Sequence, residues 1–314
     1  MPDLEVRRLG RSEMKPMALG LGGGHLAGPE QSDATAIALV RGAIERGANF
    51  VDTSPDYGLS ERRIGMALAD GWRDKTYLQT KVGSHPKYLR DWSKTATNWS
   101  LENSFKMLQT EYVDSVLIHG PRHDIEGPLG ECLKVMLDWK EKGRVGAVGV
   151  GVRQPEFHRR AIEAGVDIVL SFLDYTLLDQ SLADETIPLA IKHDVGIIVG
   201  SPLGNSLLAG PEPLQTEEGI YDADGKVIPA AVGSYLDPAA FPRAHAMWQW
   251  CRARDLNIRH LAMQFAMNAP VSGNGIVLTG SANLTEFEEA YADATTPVPE
   301  GVWQEFETEF GVRV

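Results

Sequence analysis

The chain has 314 residues, with 30 Lys and Arg against 43 Asp and Glu, a formal charge of −13, and 43% of its residues are hydrophobic. That apolar content excludes a disordered chain, and the acidic balance argues against a nucleic-acid or anionic-membrane surface, which needs clustered Lys and Arg. A small-molecule ligand is the better expectation, in a chain long enough for one large α/β domain or two smaller ones.

Cys132 and Cys251 lie in stretches that read as helices, outside any CxxC or Cys/His spacing, and are expected to be reduced packing residues. The opening MPDLEVRRLGRSEMKP lacks a signal-length apolar core, and no segment reaches the ~18 apolar residues of a membrane helix. A cytoplasmic protein without membrane or nucleic-acid partners is therefore expected. Asn98-Trp99-Ser100 fits a glycosylation sequon, but without a secretory signal it is read as a chance match.

In chain order, short β-rich runs fall at 17–21, 48–52, 76–80, 114–118, 145–150, 167–172, 196–200 and 275–279. Helical patterns lie between them at 34–46, 60–70, 95–109, 129–142, 154–164, 182–193, 240–254 with 259–268, and 284–292, followed by a last one at 299–310. Nearly all-apolar strands alternating with helices are what parallel strands buried on both faces look like. The pattern fits an open doubly wound sheet or a closed (β/α)8 TIM barrel; the even alternation and the count of eight favour one barrel domain spanning 1–314. The long Gly-, Pro- and Asp-containing stretch 201–239 follows strand seven, where so long a loop is usually functional.

Gly22-Gly23-Gly24-His25-Leu26-Ala27 fits the dinucleotide fingerprint GxGxxG/A after a strand. That fingerprint needs a helix to begin at the glycines, yet Gly28-Pro29 intervenes and the next helical pattern starts near Asp33. A barrel-mouth loop explains it better.

In a barrel the site is built at the C-terminal strand ends. Strand two ends in Asp52 and runs into Thr53-Ser54-Pro55-Asp56-Tyr57-Gly58, strand three ends in Lys81, and strand four ends in His119. Singly each has a bland reading: a turn cap, a half-buried aromatic, a surface amine, a structural imidazole. Together they make a proton-transfer unit. A phenol with pKa near ~10 is a poor acid or base at neutral pH, and an adjacent ammonium lowers that value. Lys81 would supply the charge, Asp52 would hold Lys81 protonated, and His119 would donate to the substrate oxygen. The set suits interconversion of a carbonyl and an alcohol and needs a nicotinamide cofactor for the hydride. His119 and His123 are four apart, but Gly120-Pro121 breaks any helix between them, so no metal site is expected.

The run Asn49-Phe50-Val51-Asp52-Thr53-Ser54-Pro55-Asp56-Tyr57-Gly58 through Gly65, with Thr80-Lys81, Leu117-Ile118-His119, Ser201 to Gly210 and Thr279-Gly280-Ser281, resembles the signatures of the aldo-keto reductases along essentially the whole chain. The resemblance implies a tetrad of Asp52, Tyr57, Lys81 and His119, with Tyr57 as general acid and base. It also implies a metal-free NAD(P) site, with Ser201, Leu203 and Asn205 along the pyrophosphate and Gly280, Ser281, Glu286 and Glu289 around the adenosine. The chain departs from the common pattern in having Gly151-Val152 for Ser-Asn, Gly200 for a stacking aromatic, and no Gln near Ser171 or Phe172. Residues 147–151 and 175–180 look like the sugar-dehydrogenase branch that includes D-threo-aldose 1-dehydrogenase, L-fucose dehydrogenase and L-galactose dehydrogenase, which implies oxidation of an aldose at its anomeric carbon.

Gly280 and Glu286 stand where NADP-preferring members carry Lys and Arg, and a carboxylate there repels a 2′-phosphate, so NAD is expected over NADP. Candidate substrate contacts are His25, His85, Trp92, Arg122 and His123, with Tyr221 or Tyr235 in the long loop. The alternatives are a cofactor-sensing regulatory subunit and a Schiff-base lyase using Lys81. An adjacent Asp52 opposes the second by keeping the amine charged.

Overall fold

The computed structural model describes residues 4–121, 123–213, 215–216, 219–221, 227–228, 237 and 239–313. Eight parallel strands close into a barrel: β1 (Leu19–Gly22), β2 (Phe50–Asp52), β3 (Tyr77–Val82), β4 (Val113–His119), β5 (Val145–Gly151), β6 (Ile168–Phe172), β7 (Gly196–Gly200) and β11 (Gly275–Gly280). β11 pairs with β1 and with β7, which completes the ring. Every strand predicted from the sequence is present, with ends shifted by at most two residues.

Parity explains the composition. Alternate residues of a strand share a face, so Phe50, Leu117, Ala147, Ile168, Leu170, Ile198, Ile276 and Leu278 fill the interior of the barrel. The intervening Val, Ile and Leu residues pack outward against the helices in a second, larger cluster. Both faces are apolar because both are covered.

The helices are α1 (Asp33–Glu45), α2 (Ser60–Ala67), α3 (Lys94–Leu108), α4 (Leu133–Glu141), α5 (Pro155–Glu163), α6 (Thr186–Lys192), α7 (Ala240–Arg252), α8 (Ile258–Met267), α9 (Leu284–Thr295) and α10 (Val302–Phe310). Their starts follow capping chemistry. The side chains of Ser32, Ser93, Asn257 and Asn283 accept hydrogen bonds from the first-turn amides of Thr35, Ala96, Arg259 and Glu286. Ahead of α1 the glycine run forms only a short 3-10 turn, Gly23–Leu26, and α1 begins at Asp33, so the fingerprint-like glycines do not open a helix. The helix predicted at 129–142 enters through a π-helical turn, Pro128–Cys132. Both cysteines are buried and free, as expected.

The N-terminal segment closes the end of the barrel away from the candidate site. Leu9 and Met14 join the interior cluster, and Val6 bridges Met17. Gly10 makes the approach possible: at φ 58, a Cβ there would sit 2.2 Å from the Gly196 nitrogen. After β7, the described parts of the long loop include a small antiparallel ribbon of β8 (Gln215–Thr216), β9 (Gly219–Tyr221) and β10 (Val227–Ile228). No helix among the described residues is long and apolar enough to cross a membrane.

Candidate active site

At the C-terminal end of β2 and β3, the Lys81 ammonium lies 2.6 Å from Asp52 Oδ1, 2.7 Å from Asp52 Oδ2 and 2.8 Å from the Thr53 carbonyl oxygen. Its three donors are thus matched by three acceptors. The pair is deeply buried, with 1% of the Lys81 side chain and 6% of the Asp52 side chain exposed. Burial is the largest single effect on Lys81 and opposes its charge, but Asp52 and Tyr57 together outweigh it and hold the amine above its ordinary value.

Beneath the carboxylate runs a polar chain that the sequence did not reveal. Ser115 Oγ donates to Gln79 Oε1 at 2.9 Å, and Gln79 Nε2 donates to Asp52 Oδ1 at 2.8 Å. Asp52, Gln79 and Ser115 are ladder neighbours across β2, β3 and β4, so Gln79 bridges the other two by register. The available signal was parity, because Gln79 and Lys81 share a face of β3 and Ser115 and His119 share a face of β4.

Tyr57 stands on the turn after β2. Its amide donates to the Ser54 carbonyl and its own carbonyl accepts from the Ser60 amide. The next residue must be small and left-handed: Gly58 has φ +44, and a Cβ there would meet the Ala27 carbonyl oxygen at 2.5 Å. The Lys81 ammonium lies 4.8 Å from the Tyr57 ring centroid, and the His119 ring meets the tyrosine edge-on at 5.7 Å. Tyr57 is partly exposed.

Two hydroxyls hold His119. Its Nδ1 is 2.9 Å from both Ser54 Oγ and Ser84 Oγ. Burial, reinforced by the Lys81 charge, pushes the imidazole down to about 3, so it is neutral at physiological pH. In the tautomer that carries its hydrogen on Nε2, a hydroxyl donates to Nδ1 and Nε2 is the nitrogen left to donate to a ligand.

One expectation is corrected. Lys81 does draw the Tyr57 phenol down, but burial of the phenol is the larger effect and Asp52 adds to it, so the net shift is upward from the ordinary value. The tyrosine in this structure is a neutral acid.

The dinucleotide positions inferred from the resemblance divide into two groups. Ser201, Leu203 and Asn205 follow β7 in a loop where Ser201, Gly204, Asn205 and Ser206 all have positive φ. Such a backbone turns amide groups toward one side, and the buried Asn205 Nδ2 has no hydrogen-bond partner. An unsatisfied buried donor beside a left-handed loop fits an anionic diphosphate. Gly280 closes β11 and Ser281 follows it, buried. The exposed His25 lies over Gly280, where a Cβ would meet the imidazole at 2.7 Å. Glu286 accepts from the Ala282 amide at 2.8 Å and from Asn283 Nδ2 at 2.7 Å, a reciprocal cap of α9. Glu289 is ion-paired with Arg259, which also bonds Asp293 at 2.5 Å.

Of the substrate candidates, His85 is engaged locally: its Nδ1 accepts from the Lys87 amide at 3.0 Å and its ring meets Trp99 at 4.6 Å. Trp92 covers Gly83, whose absent Cβ leaves the space the indole occupies. His123 is exposed. Arg122 and Tyr235 lie outside the described residues, as does the side chain of Tyr221. A cleft of about 480 Å3 lined by Arg73, Thr76, Tyr112 and Asp114 opens at the N-terminal ends of β3 and β4, away from the tetrad.

Buried Arg63 was also missed by sequence reasoning. It donates to the carbonyls of Leu26 at 2.6 Å and Gly28 at 2.8 Å and to Asp33 Oδ1 at 3.1 Å, and also bonds the Gln31 carbonyl. The loop after β1 is thereby fixed over α2, beside the turn that carries Tyr57. Among the described residues, no group of three or more His, Cys, Asp or Glu side chains is gathered to hold a metal ion.

Comparison with known proteins places this geometry. Residues 18–308 match the aldo/keto reductase family. The chain is 30% identical to L-galactose dehydrogenase of Arabidopsis thaliana, covering 97% of this chain and 92% of that protein. It is 28% identical to D-threo-aldose 1-dehydrogenase of a Pseudomonas species over 87% of each chain. The solved structure of an aldo-keto reductase from Bacillus halodurans superposes with a TM-score of 0.77 at 22% identity, covering 99% of this chain and 98% of that one. The chain belongs to the aldo/keto reductase family and is an NAD(P)-dependent oxidoreductase.

Proposed function

We propose that the protein, working as one catalytic domain over 1–314, oxidises an aldose at its anomeric carbon, with Asp52, Tyr57, Lys81 and His119 as the catalytic set and NAD favoured over NADP. The observation that carries the reading is the buried Asp52–Lys81 pair set against Tyr57, with neutral His119 edge-on to the same ring. Two relatives named for oxidising sugars support the choice of substrate.

When bound, the nicotinamide supplies the hydride acceptor or donor. The chain supplies the proton path. Tyr57 takes the substrate hydroxyl proton in oxidation and returns it in reduction, while His119 Nε2 donates to the same oxygen and fixes its position. Lys81, kept charged by Asp52, stabilises negative charge on the tyrosine oxygen as it forms. Asn205 and the left-handed loop after β7 would meet the diphosphate, and Gly280 and Ser281 the adenosine end.

Cofactor preference follows from fixed charge. The capping bonds hold the Glu286 carboxylate at the first turn of α9, and a 2′-phosphate dianion brought there meets it unfavourably. Initial rates over a grid of aldoses, simple aldehydes and ketones, each with both cofactors, test the reading. The expected result is aldose-dependent reduction of NAD, with higher kcat/KM for NAD than for NADP. Activity confined to non-sugar carbonyls overturns the substrate class, and a preference for NADP overturns the role of Glu286.

The direction of the Tyr57 shift adds a pH signature. A phenol held above its ordinary value is protonated across the neutral range, so it serves reduction as an acid, and oxidation needs the deprotonated minority. kcat/KM for oxidation should rise about tenfold per pH unit, without levelling before the ordinary phenol range near ~10. A plateau near neutrality in the pH–rate profile contradicts the net upward shift.

A further inference from the structure

Two serine hydroxyls and one ring nitrogen close a triangle behind His119. Ser54 Oγ and Ser84 Oγ each lie 2.9 Å from His119 Nδ1 and 3.1 Å from one another. Ser54, just after β2, is fully buried, and Ser84, just after β3, is nearly so. Backbone holds both in place. The Ser54 hydroxyl accepts from the Asp56 amide at 3.2 Å, and the Ser54 carbonyl accepts from the Tyr57 amide at 3.0 Å. Ser84 leaves β3 through Gly83, whose φ of +85 and bare α-carbon beneath Trp92 set the direction of the chain. Among the described residues, neither hydroxyl donates to an acceptor outside the triangle.

The two neutral tautomers of the imidazole differ in what such a triangle can absorb. With the ring hydrogen on Nε2, Nδ1 is an acceptor: one hydroxyl donates to it, the second donates to the first, and every hydrogen is matched. With the ring hydrogen on Nδ1, that N–H goes to one hydroxyl, which donates to the other. The last O–H then has nowhere to go, because Nδ1 no longer offers a lone pair. One buried hydrogen bond left unmade shifts an equilibrium by about tenfold or more.

We propose that Ser54 and Ser84 are positioning residues that hold neutral His119 in its Nε2–H tautomer, so that the imidazole can only donate to the substrate oxygen. This rests on the proposed oxidation of a sugar hydroxyl by Asp52, Tyr57, Lys81 and His119. The consequence lies in where the substrate hydrogen points. Facing Nε2–H, the hydroxyl presents a lone pair to His119 and directs its own hydrogen to the Tyr57 oxygen. Facing a bare Nε2, the same hydroxyl could donate to the imidazole and withhold its hydrogen from the base. Ser54 serves both partners, since its side chain meets His119 and its carbonyl anchors the turn that carries Tyr57.

Two-bond proton–nitrogen correlation spectra of the intact protein, labelled with nitrogen-15 histidine, read the tautomer directly, with His119 assigned by its loss in His119→Asn. Wild type should show the Nε2–H pattern at neutral pH. Ser54→Ala or Ser84→Ala alone should keep that pattern, because one donor to Nδ1 remains. Ser54→Ala/Ser84→Ala should turn it into a mixture and lower kcat/KM for the sugar by at least about twofold, the loss expected when half the molecules carry the wrong tautomer. Ser54→Ala/Ser84→Cys, which leaves only a weak donor, carries the same expectation if the double alanine variant does not fold. A wild-type Nδ1–H pattern, or an unchanged Nε2–H pattern in a folded double variant, overturns the role of the hydroxyl pair and leaves the proposed function standing. A wild-type protein that oxidises no sugar with NAD or NADP overturns the proposed function, and the catalytic meaning of the pair with it, whatever the spectrum shows.

Discussion

Tyr57→Phe should lower kcat/KM for sugar oxidation by about 10²–10⁴-fold, the contribution of a positioned proton-transfer group, while NAD binding and the thermal midpoint stay near wild type. The substitution removes one oxygen and little else. The ring keeps its edge contact with His119 and its place beside the Lys81 ammonium. Lys81 retains Asp52 Oδ1, Asp52 Oδ2 and the Thr53 carbonyl as acceptors, so no buried charge is left unpaired. The separation of effects is therefore the informative outcome. Single-turnover reduction of NAD by the preferred sugar, read by absorbance beside a binding titration, distinguishes chemistry from binding. Unchanged turnover would remove Tyr57 from the mechanism, and a matching loss of NAD affinity would make it a binding residue.

The barrel was legible because its signal is local. A strand buried on both faces is a short apolar run, and eight such runs separated by capped helices leave few architectures. Asp52, Lys81 and His119 were legible for a related reason: each ends a strand, and strand ends in a barrel meet at one rim. Tyr57 sits beyond its strand and was read from the run that leaves Asp52, the family resemblance then placing it in the same set. What supports these residues was hidden, since it depends on register between strands. Ser115 and Gln79 are separated by thirty-six positions, and only the β3–β4 ladder makes them partners. Ser54 and Ser84 converge on His119 from two different loops. Arg63 looks like a helix-surface residue until three loop carbonyls and Asp33 enclose it.

The Tyr57 shift shows the same division in energetic form. Sequence supplies the identity of a neighbour and hence the sign of one Coulombic contribution, here a lowering by Lys81. The opposing contribution comes from burial, which follows from how completely the surrounding loops enclose the phenol. Glu286 is a similar case. Its position beside Gly280 invites a role at the cofactor, but its lone pairs already serve the Ala282 amide and Asn283. Its charge remains available to act at a distance while much of its hydrogen-bonding capacity is committed to α9.

Lys81→Met should destabilise the fold by about 3–5 kcal/mol, because it strips the buried Asp52 carboxylate of its counter-charge. The Thr53 carbonyl loses its donor in the same step. Gln79 still donates to Asp52 Oδ1, but a neutral amide does not offset a buried carboxylate. The double variant Asp52→Asn/Lys81→Met removes both charges and keeps the Gln79 hydrogen bond within reach of the new side-chain amide. It should therefore recover most of the lost stability, since neutralising a buried pair costs less than breaking it. Activity should not return with stability. Without the ammonium nothing stabilises charge on the Tyr57 oxygen, and the phenol, already raised by burial, moves further from the working range. Urea-unfolding midpoints paired with kcat for wild type, Lys81→Met and the double variant read both quantities. If Lys81→Met is as stable as the double variant, the ion pair is not what organises the floor of the site. If the double variant turns over at the wild-type rate, Lys81 has no part in tuning Tyr57.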